Sequence, residues 1–285
     1  MNGARIKLEG YGGNTLSANF WKGNDCAVVL LHGLRTDIRE FAEFPAYLHA
    51  AGPSVLALDF SGHGASAGQK GYISEKSHLE DTTAALMFLR KNGIKKCIIL
   101  GHSFGVHAAL LASADHSLIE GLVFVAPQKK SGASLTRVKK LIFECLGFMA
   151  RCAPLASKYI YLPISVSYRD LFVSDQAVAW AETQRWDPGK INLATLAYAS
   201  RANNMLLAEK NSLPALVVIG QMDKKTSAES SEKFIESLDP KQTTVCRLTS
   251  SGHSPFADND KDILLDAVTT FVQQTVSTEL ETEQR

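Results

Sequence analysis

A serine stands between two glycines in the segment 101–105, which has the sequence Gly-His-Ser-Phe-Gly. The apolar run 97–101 leads into it, and the small apolar residues 106–112 follow it. A Gly-x-Ser-x-Gly sequence between a strand and a helix is typical of the sharp turn that exposes a nucleophilic serine. Glycines are expected there because larger side chains would clash with the adjacent strand and helix. We therefore predict that Ser103 is a nucleophile; the alternative is that it only caps the following helix.

A serine hydroxyl becomes a good nucleophile only when a base removes its proton and a carboxylate holds the base in the right tautomer. Asp223 follows the apolar run 215–220, and His253 follows the weaker run 244–248. Residues at the carboxyl ends of parallel strands meet at one edge of a sheet, where ligands bind. We therefore predict that His253 is the general base for Ser103 and that Asp223 orients it.

Other residues compete for these two roles. Asp239 is a second candidate for the acid, although it precedes a proline in a segment typical of a surface turn. Asp258 follows His253, which is the wrong order for a triad that runs serine, acid, histidine along the chain. Five further histidines are disfavoured as the base by this order, by the expected direction of their side chains or by polar surroundings: His32, His63, His102, His107 and His116.

A reaction through a tetrahedral intermediate also needs N–H donors for the developing oxyanion. The backbone N–H of Phe104 is expected to supply one, because it follows the serine at the start of a helix. The apolar run 27–31 ends in His32-Gly33-Leu34, and the backbone N–H of Leu34 is the expected second donor. Gly33 would let the backbone approach the reacting carbon closely. The alternative is an ordinary turn at the end of a strand.

Short apolar runs alternate with helical patterns along the chain, which predicts an α/β fold with a mostly parallel central sheet flanked by helices. The predicted strands, including an antiparallel N-terminal hairpin, are 5–9, 15–21, 27–31, 54–59, 97–101, 122–126, 215–220 and the weaker 244–248. The clearest helices are predicted at 75–91 and 261–276. Their apolar stripes are expected to include Leu79 and Ile263, respectively. The tail 277–285 is polar and expected to fray.

Several of these motifs together resemble the α/β-hydrolase superfamily. The motifs that carry the resemblance lie at 31–34, 59–66, 101–105, 223 and 252–253. The resemblance covers 4–126 and 213–276, and it implies the α/β-hydrolase fold with a serine, acid and histidine triad. The segment 59–66 is similar to a structural turn of that superfamily, so Asp59 and His63 are not expected to be catalytic.

A finer resemblance concerns the segment 67–72 and the helix after it, which carries Asp81. They are similar to the monoacylglycerol lipase and lysophospholipase-like subgroup, of the serine aminopeptidase S33 type. That resemblance implies a helical cap inserted between two sheet strands. We therefore expect a core of residues 1–127 and 213–285 and a cap or lid of residues 128–212. The composition of the insertion indicates mostly helix, without a convincing buried strand.

The apolar run 141–150 within this insertion predicts a lid that shapes a pocket for an apolar substrate. Trp180, Trp186 and Tyr198 are further candidates for its walls. Basic residues precede the run: Lys129, Lys130, Arg137, Lys139 and Lys140. A solvated surface is the favoured interpretation of these charges, and weak contact with an anionic membrane surface is the alternative.

Composition narrows the class of partner and the setting. The chain of 285 residues has a formal net charge of +1, so no nucleic-acid partner is expected. The five cysteines lack metal-binding or framework spacing, and Cys26, Cys97 and Cys246 are expected to be small core residues. The N-terminus lacks the apolar core of a secretory signal, and no apolar run is long enough to span a membrane. We therefore expect a cytoplasmic protein.

These observations predict a serine hydrolase that cleaves a carboxylic ester with a medium or long acyl chain, such as a monoglyceride or lysophospholipid. No metal ion or organic cofactor is expected to take part. A thioesterase, lactonase or amidase is the alternative, because one oxyanion hole serves all of these bonds. A non-catalytic ligand-binding protein of this fold is a further hypothesis, although no triad residue is missing. The sequence does not indicate an oligomeric state.

Overall fold

Eight strands form the central sheet of the protein. The computed structural model describes residues 3–114, 117–128, 145–148, 152, 154–185 and 189–277. The strands are β1 (Ala4–Glu9), β2 (Thr15–Trp21), β3 (Cys26–Leu31), β4 (Ser54–Leu58), β5 (Lys96–His102), β6 (Ile119–Val125), β7 (Tyr161–Pro163), β8 (Lys190–Asn192), β9 (Ala215–Gly220) and β10 (Thr243–Leu248). The order in the sheet is β1-β2-β4-β3-β5-β6-β9-β10, and β7 pairs only with β8.

The sheet is mostly parallel, as the apolar runs predict. β1 and β2 form the expected antiparallel hairpin, and β2 also runs antiparallel to β4. The remaining neighbours in the eight-stranded sheet, in the order β4-β3-β5-β6-β9-β10, are all parallel. All residues of β3, β4 and β9 are buried, because helices cover both faces of the sheet. β10 is an edge strand and more exposed, which explains its weaker apolar pattern. The α/β-hydrolase fold is thus confirmed.

Helices cover both faces of the sheet. They are α1 (Phe44–Ala50), α2 (Glu75–Lys91), α3 (Gly105–Ser113), α4 (Pro154–Ser157), α5 (Asp175–Gln184), α6 (Leu193–Ala199), α7 (Asn204–Ala208), α8 (Ala228–Ile235) and α9 (Lys261–Ser277). α2 has the predicted bounds, because Ser74 and Ser77 form a reciprocal capping box at its start. Leu79 and Ile263 are exposed, however, so their placement on the buried stripes was wrong. The buried faces instead centre on residues such as Leu86 in α2 and Leu264 in α9.

Two apolar clusters, one on each face of the sheet, make up the core. The first joins α2, α3 and α8 to the sheet, and the second joins α1 and α9 to the opposite face. In the first cluster the Phe124 ring of β6 meets the Phe234 ring of α8 edge to face, with 5.3 Å between their centroids. Both side chains are fully buried. This contact joins the strand that follows the serine turn to the helix after the Asp223 loop.

Replacing Phe124 by alanine should lower the free energy of unfolding by about 3–5 kcal/mol. The loss combines removal of buried apolar surface with the cavity left opposite Phe234. Urea denaturation followed by circular dichroism measures it. Met87→Ala on the exposed side of α2 is the matched control and should change the value by less than about 0.5 kcal/mol. Equal losses in the two variants would contradict this account of the core.

The segment between β6 and β9 is not purely helical. Its described residues include α4 to α7, but also the antiparallel ribbon of β7 and β8. The mostly helical segment that the sequence predicts therefore also contains a short two-stranded ribbon. Thr195 of α6 ties this segment to the core, because its hydroxyl accepts from the Ile73 N–H at 2.8 Å and donates to the Gly71 carbonyl at 2.7 Å. No helix in the described part of the chain is long and apolar enough to cross a membrane.

Several residues singled out in the sequence lie outside the described residues. Of the apolar run 141–150, only 145–148 are described. The others outside are Lys129, Lys130, Arg137, Lys139, Lys140, His116 and Trp186. The cysteines are all free thiols, and Cys26 and Cys97 are buried in the core as expected. Burial raises the pKa of the Cys26 thiol to about 11 and that of Cys97 to about 12, so both remain protonated at neutral pH.

Candidate active site

The serine turn joins β5 directly to α3. Ser103 has a φ of +51°, a backbone conformation that residues other than glycine rarely adopt. A Cβ at Gly101 would lie 2.5 Å from the carbonyl oxygen of Gly105, and a Cβ at Gly105 would lie 2.2 Å from that of Leu31. The glycines are therefore required by the close approach of strand and helix, which is the reason that the sequence suggested.

Three loops at the carboxyl ends of β5, β9 and β10 bring the predicted residues together. The Nε2 atom of His253 lies 2.9 Å from the Ser103 hydroxyl oxygen. Its Nδ1 atom lies 2.8 Å from Oδ2 of Asp223. His253 is 150 positions from Ser103 and 30 positions from Asp223 along the chain. The parallel sheet brings them together, because it places the three loops at one edge. The arrangement has the geometry of a serine, histidine and aspartate triad.

The second oxygen of Asp223 is held by its own loop. Oδ1 accepts from the backbone N–H of Lys225 at 2.6 Å and of Thr226 at 2.9 Å. Burial disfavours the charged form of this carboxylate. The facing His253 and the two N–H donors outweigh burial and lower the pKa of Asp223 below its ordinary value. An ionised Asp223 accepts only, so the Nδ1 atom of His253 carries the proton and Nε2 is free to accept one.

The loop after β3 presents the backbone of Leu34 near Ser103. A Cβ placed on Gly33 would lie 3.4 Å from the Ser103 Cβ, so the loop touches the serine turn. The Nε2 atom of His32 accepts from the Phe60 N–H at 3.1 Å, which leaves Nδ1 protonated. That Nδ1 donates to the Gly33 carbonyl at 2.8 Å. The peptide is planar and trans, so fixing this carbonyl directs the Leu34 N–H to the opposite side.

The hydroxyl of Thr36 holds the same carbonyl of Gly33, at 3.1 Å. Among the residues that the structure describes, neither the Leu34 N–H nor the Phe104 N–H donates to a protein acceptor. Phe104 directly precedes α3, where the positive end of the helix dipole also favours an anion. These two N–H groups are thus available to a ligand.

The sequence matches a known family of hydrolases over most of its length. The model of the family described as serine aminopeptidase, S33, a hydrolase family, matches residues 23–260. The chain belongs to this S33 family. The match includes the serine turn, the Asp223 loop and the His253 loop. No curated protein gives a significant match.

Solved structures similar to this S33 family member include lipases and esterases. The monoacylglycerol lipase of Paleococcus ferrophilus is 22% identical, with a TM-score of 0.77, over 91% of this chain and 99% of that one. A soluble variant of the Saccharomyces cerevisiae monoglyceride lipase is 17% identical, with a TM-score of 0.79, over 94% of each chain. A thermophilic esterase of Thermogutta terrifontis is 18% identical, with a TM-score of 0.71, over 95% and 99%. These likenesses establish the shared fold.

Two further buried groups of the S33 site were missed in the sequence. Glu40 and His102 lie between the loop after β3 and the His253 loop, with 3.0 Å between Oε1 and Nδ1. The sequence places Glu40 in an unpatterned loop and His102 next to the nucleophile, and neither position signals that the two side chains meet. His102 was considered only as an alternative base, and its ring does turn away from the Ser103 hydroxyl, as expected.

Asp258, rejected as the triad acid, joins the His253 loop to the segment between β6 and β9. Its Oδ2 accepts from the N–H groups of Val173 and Gly252, each at 2.9 Å, and its Oδ1 accepts from Ser174 at 2.8 Å. The Ser254 N–H also donates to the Leu171 carbonyl at 3.0 Å. The loop that carries the histidine is therefore fixed to residues that precede α5.

The remaining candidates have structural surroundings. Asp59 accepts from the N–H groups of Ile38 and Ala65, in agreement with a structural turn. Asp239 accepts from Lys241 in an exposed turn at the far end of β10. His107 bonds to the Asn204 side chain. Among the described residues, no group of three or more histidine, cysteine, aspartate or glutamate side chains is arranged to hold a metal ion.

An apolar cluster lies beside the serine turn. The Tyr198 ring of α6 meets the Phe104 ring edge to face at 5.3 Å, and Leu34 packs on the same group. The other members are Ile73, Ala199 and Ala202. Tyr198 is thus next to the residue that follows the nucleophile, whereas Trp180 packs on Phe172. The cluster gives the site an apolar side.

Proposed function

We propose that this S33 family member is a carboxylic ester hydrolase that acts through an acyl-enzyme on Ser103. The relay of Ser103, His253 and Asp223, with both hydrogen bonds within 2.9 Å, is the observation that carries this proposal. Nucleophilic attack by serine on an acyl carbon needs this base at this distance.

In the proposed reaction Ser103 attacks the ester carbonyl while His253 takes its proton. The carbonyl electrons move to oxygen, and the N–H groups of Leu34 and Phe104 stabilise that oxyanion. When the tetrahedral intermediate collapses, His253 returns the proton to the departing alcohol. Water then attacks the acyl-enzyme with His253 as the base, and the carboxylic acid product leaves Ser103. Asp223 stabilises the imidazolium in both halves without itself taking the proton.

We propose an apolar acyl chain of medium or long length. The cluster of Phe104, Tyr198 and Leu34 supports this choice, because apolar side chains surround the residue that follows the nucleophile and Leu34 is only half-buried. Residues 128–212 are proposed to form the cap of the site, and 1–127 with 213–285 the core. The names of two structural neighbours, a monoacylglycerol lipase and a monoglyceride lipase, agree with such a substrate.

Peptide cleavage is the second candidate, because the family is described as one of serine aminopeptidases. An aminopeptidase needs a carboxylate that can bind the α-ammonium group of its substrate. The carboxylates described beside the serine turn and in the His253 loop already have partners: Glu40 faces His102, Asp223 faces His253, and Asp258 accepts from three backbone N–H groups. This commitment favours the ester over the peptide.

A panel of p-nitrophenyl acetate, butyrate, octanoate and palmitate, with leucine p-nitroanilide beside it, tests the proposal. We expect kcat/KM for octanoate to exceed that for acetate by about tenfold or more, because added methylenes bind the apolar wall. The anilide should be left intact. Ser103→Ala is the matched control and should lose both ester turnover and labelling by a fluorophosphonate. Turnover of the anilide alone would favour the aminopeptidase, and full ester turnover by Ser103→Ala would remove the mechanism.

A further inference from the structure

We propose that Glu40 and His102 are positioning residues, which together hold the oxyanion loop, the serine turn and the His253 loop in one arrangement. This inference rests on the proposed function, because it assigns these residues a role in the same reaction. Neither side chain touches the Ser103 hydroxyl. The two act through the backbone groups that they hold.

Glu40 fixes the loop after β3. Its Oε1 atom accepts from the Gly33 N–H at 2.8 Å and faces the Nδ1 atom of His102 at 3.0 Å. The Gly33 N–H therefore donates to Glu40, while the Gly33 carbonyl accepts from His32 and Thr36. Both peptide groups that flank Gly33 are fixed, and the second of them carries the Leu34 N–H, which has no protein acceptor among the described residues. Glu40 therefore sets the direction of a proposed oxyanion donor.

His102 fixes the other two loops. It belongs to β5 and is bonded covalently to Ser103, while its Nε2 atom lies 2.9 Å from the backbone carbonyl oxygen of His253. Phe256 meets the His102 ring edge to face at 5.3 Å, and Phe41 packs on Phe256 at 4.9 Å. The ring is thus held by aromatic contacts on one side and hydrogen-bonded at both nitrogens. The carbonyl that His102 holds and the imidazole that faces Ser103 belong to the same residue, His253.

The pair works as two charges. A carbonyl and a carboxylate both accept, so His102 donates from both ring nitrogens, and imidazole has two N–H groups only when it is protonated. Both side chains are buried, at 1% exposure for Glu40 and 3% for His102. Burial disfavours either charge alone. Each nevertheless stabilises the other: the pKa of Glu40 is lowered, and the pKa of His102 is raised. The groups that face them are His32, Asp223 and His253.

Two variants separate positioning from mere stability. Glu40→Gln keeps the shape but favours neutral His102, which has one N–H and can hold only one of its two acceptors. Glu40→Leu/His102→Leu removes both charges, so no unpaired charge remains in the core. Asp81→Asn is the matched control, because Asp81 is a buried carboxylate that accepts from the N–H groups of Tyr11 and Ser61 and does not touch the triad loops.

The variants are compared at a temperature at which urea titration finds all of them folded. Steady-state hydrolysis of p-nitrophenyl octanoate gives kcat and KM, and the rate of labelling by a fluorophosphonate reports on Ser103 alone. We expect Glu40→Gln and the double variant to lower kcat and the labelling rate on the order of 10²-fold, with KM changed by less than about threefold. Asp81→Asn should leave kcat and the labelling rate unchanged.

The proposal is overturned if both variants keep kcat and labelling within about threefold of the wild type, or if Asp81→Asn loses as much as they do. Wild-type protein that reacts with the phosphonate but hydrolyses no ester contradicts the proposed function alone. The labelling rates then still decide the role of the pair. Wild-type protein that reacts with neither contradicts both proposals, because a positioning pair needs a nucleophile to position.

Discussion

Replacement of His253 by alanine is expected to lower kcat for ester hydrolysis by about 10⁶-fold. Among the residues that the structure describes, Nε2 of His253 at 2.9 Å is the base within hydrogen-bond distance of the Ser103 hydroxyl, and this replacement removes it. Substrate binding should change little, because the imidazole acts on the proton and not on the acyl chain. The measurement is kcat and KM for p-nitrophenyl octanoate.

The double variant Ser103→Ala/His253→Ala tests whether the two residues act as one unit. We expect it to be no slower than either single variant, because each change alone already removes the covalent step. Any remaining rate above that in buffer then comes from the N–H groups of Leu34 and Phe104 and from substrate binding. If the fold-decrease in kcat of the double variant equalled the product of the two single decreases, the residues would act separately, and this would contradict the relay.

The second large effect is expected for Asp223→Asn, which should lower kcat by about 10⁴-fold at neutral pH. The reason lies in the Asp223 loop. Two backbone N–H groups, of Lys225 and Thr226, already donate to Oδ1, so the amide oxygen of asparagine takes that position. The amide nitrogen then faces His253 in place of Oδ2 and donates to Nδ1. The proton of the imidazole moves to Nε2, which can no longer accept one from Ser103.

Asp239→Asn is the matched control, because Asp239 was the second candidate for the acid and lies in an exposed turn. It should keep the wild-type kcat. The variants are also compared by urea denaturation, so that loss of folded protein is not counted as loss of rate. A rate for Asp223→Asn within about tenfold of the wild type would mean that another group orients His253.

The meeting of Ser103, Asp223 and His253 was predictable because each of them comes shortly after a strand with a recognisable apolar pattern, although the pattern of β10 is the weaker one. Ser103 lies between glycines after a buried strand, and Asp223 and His253 each follow a strand that the apolar pattern reveals. Once a parallel sheet is inferred, its topology alone places these three loops at one edge. The free N–H of Leu34 follows the same logic, since it belongs to the loop after β3.

Glu40 and His102 were not predictable in this way. They are 62 positions apart, and no periodicity or spacing connects a loop carboxylate with the last residue of a strand. Their meeting depends on how the turn after β3 folds back over the sheet, which is decided by tertiary packing. The strands β7 and β8 were missed for another reason: each has only three residues, too few to show an alternating pattern.

Errors of detail in the helices have a related cause. Periodicity identified α2 and α9, but the exposed Leu79 and Ile263 lie at the margins of their apolar stripes. The rotation of a helix about its axis is set by what it packs against, which is the sheet together with α3 for α2 and the sheet together with α1 for α9. Sequence periodicity gives the width of an apolar face more reliably than its centre.

The hydrogen bonds that hold the Gly33 carbonyl have a consequence for how the enzyme works. His32 and Thr36 hold that carbonyl from one side, and the Glu40 carboxylate holds the preceding N–H, all through bonds internal to the protein. In the proposed reaction, the dipoles that face the developing negative charge are therefore oriented before any substrate arrives. Solvent would have to reorient around such a charge in every catalytic cycle, whereas this chain organises its dipoles once, during folding.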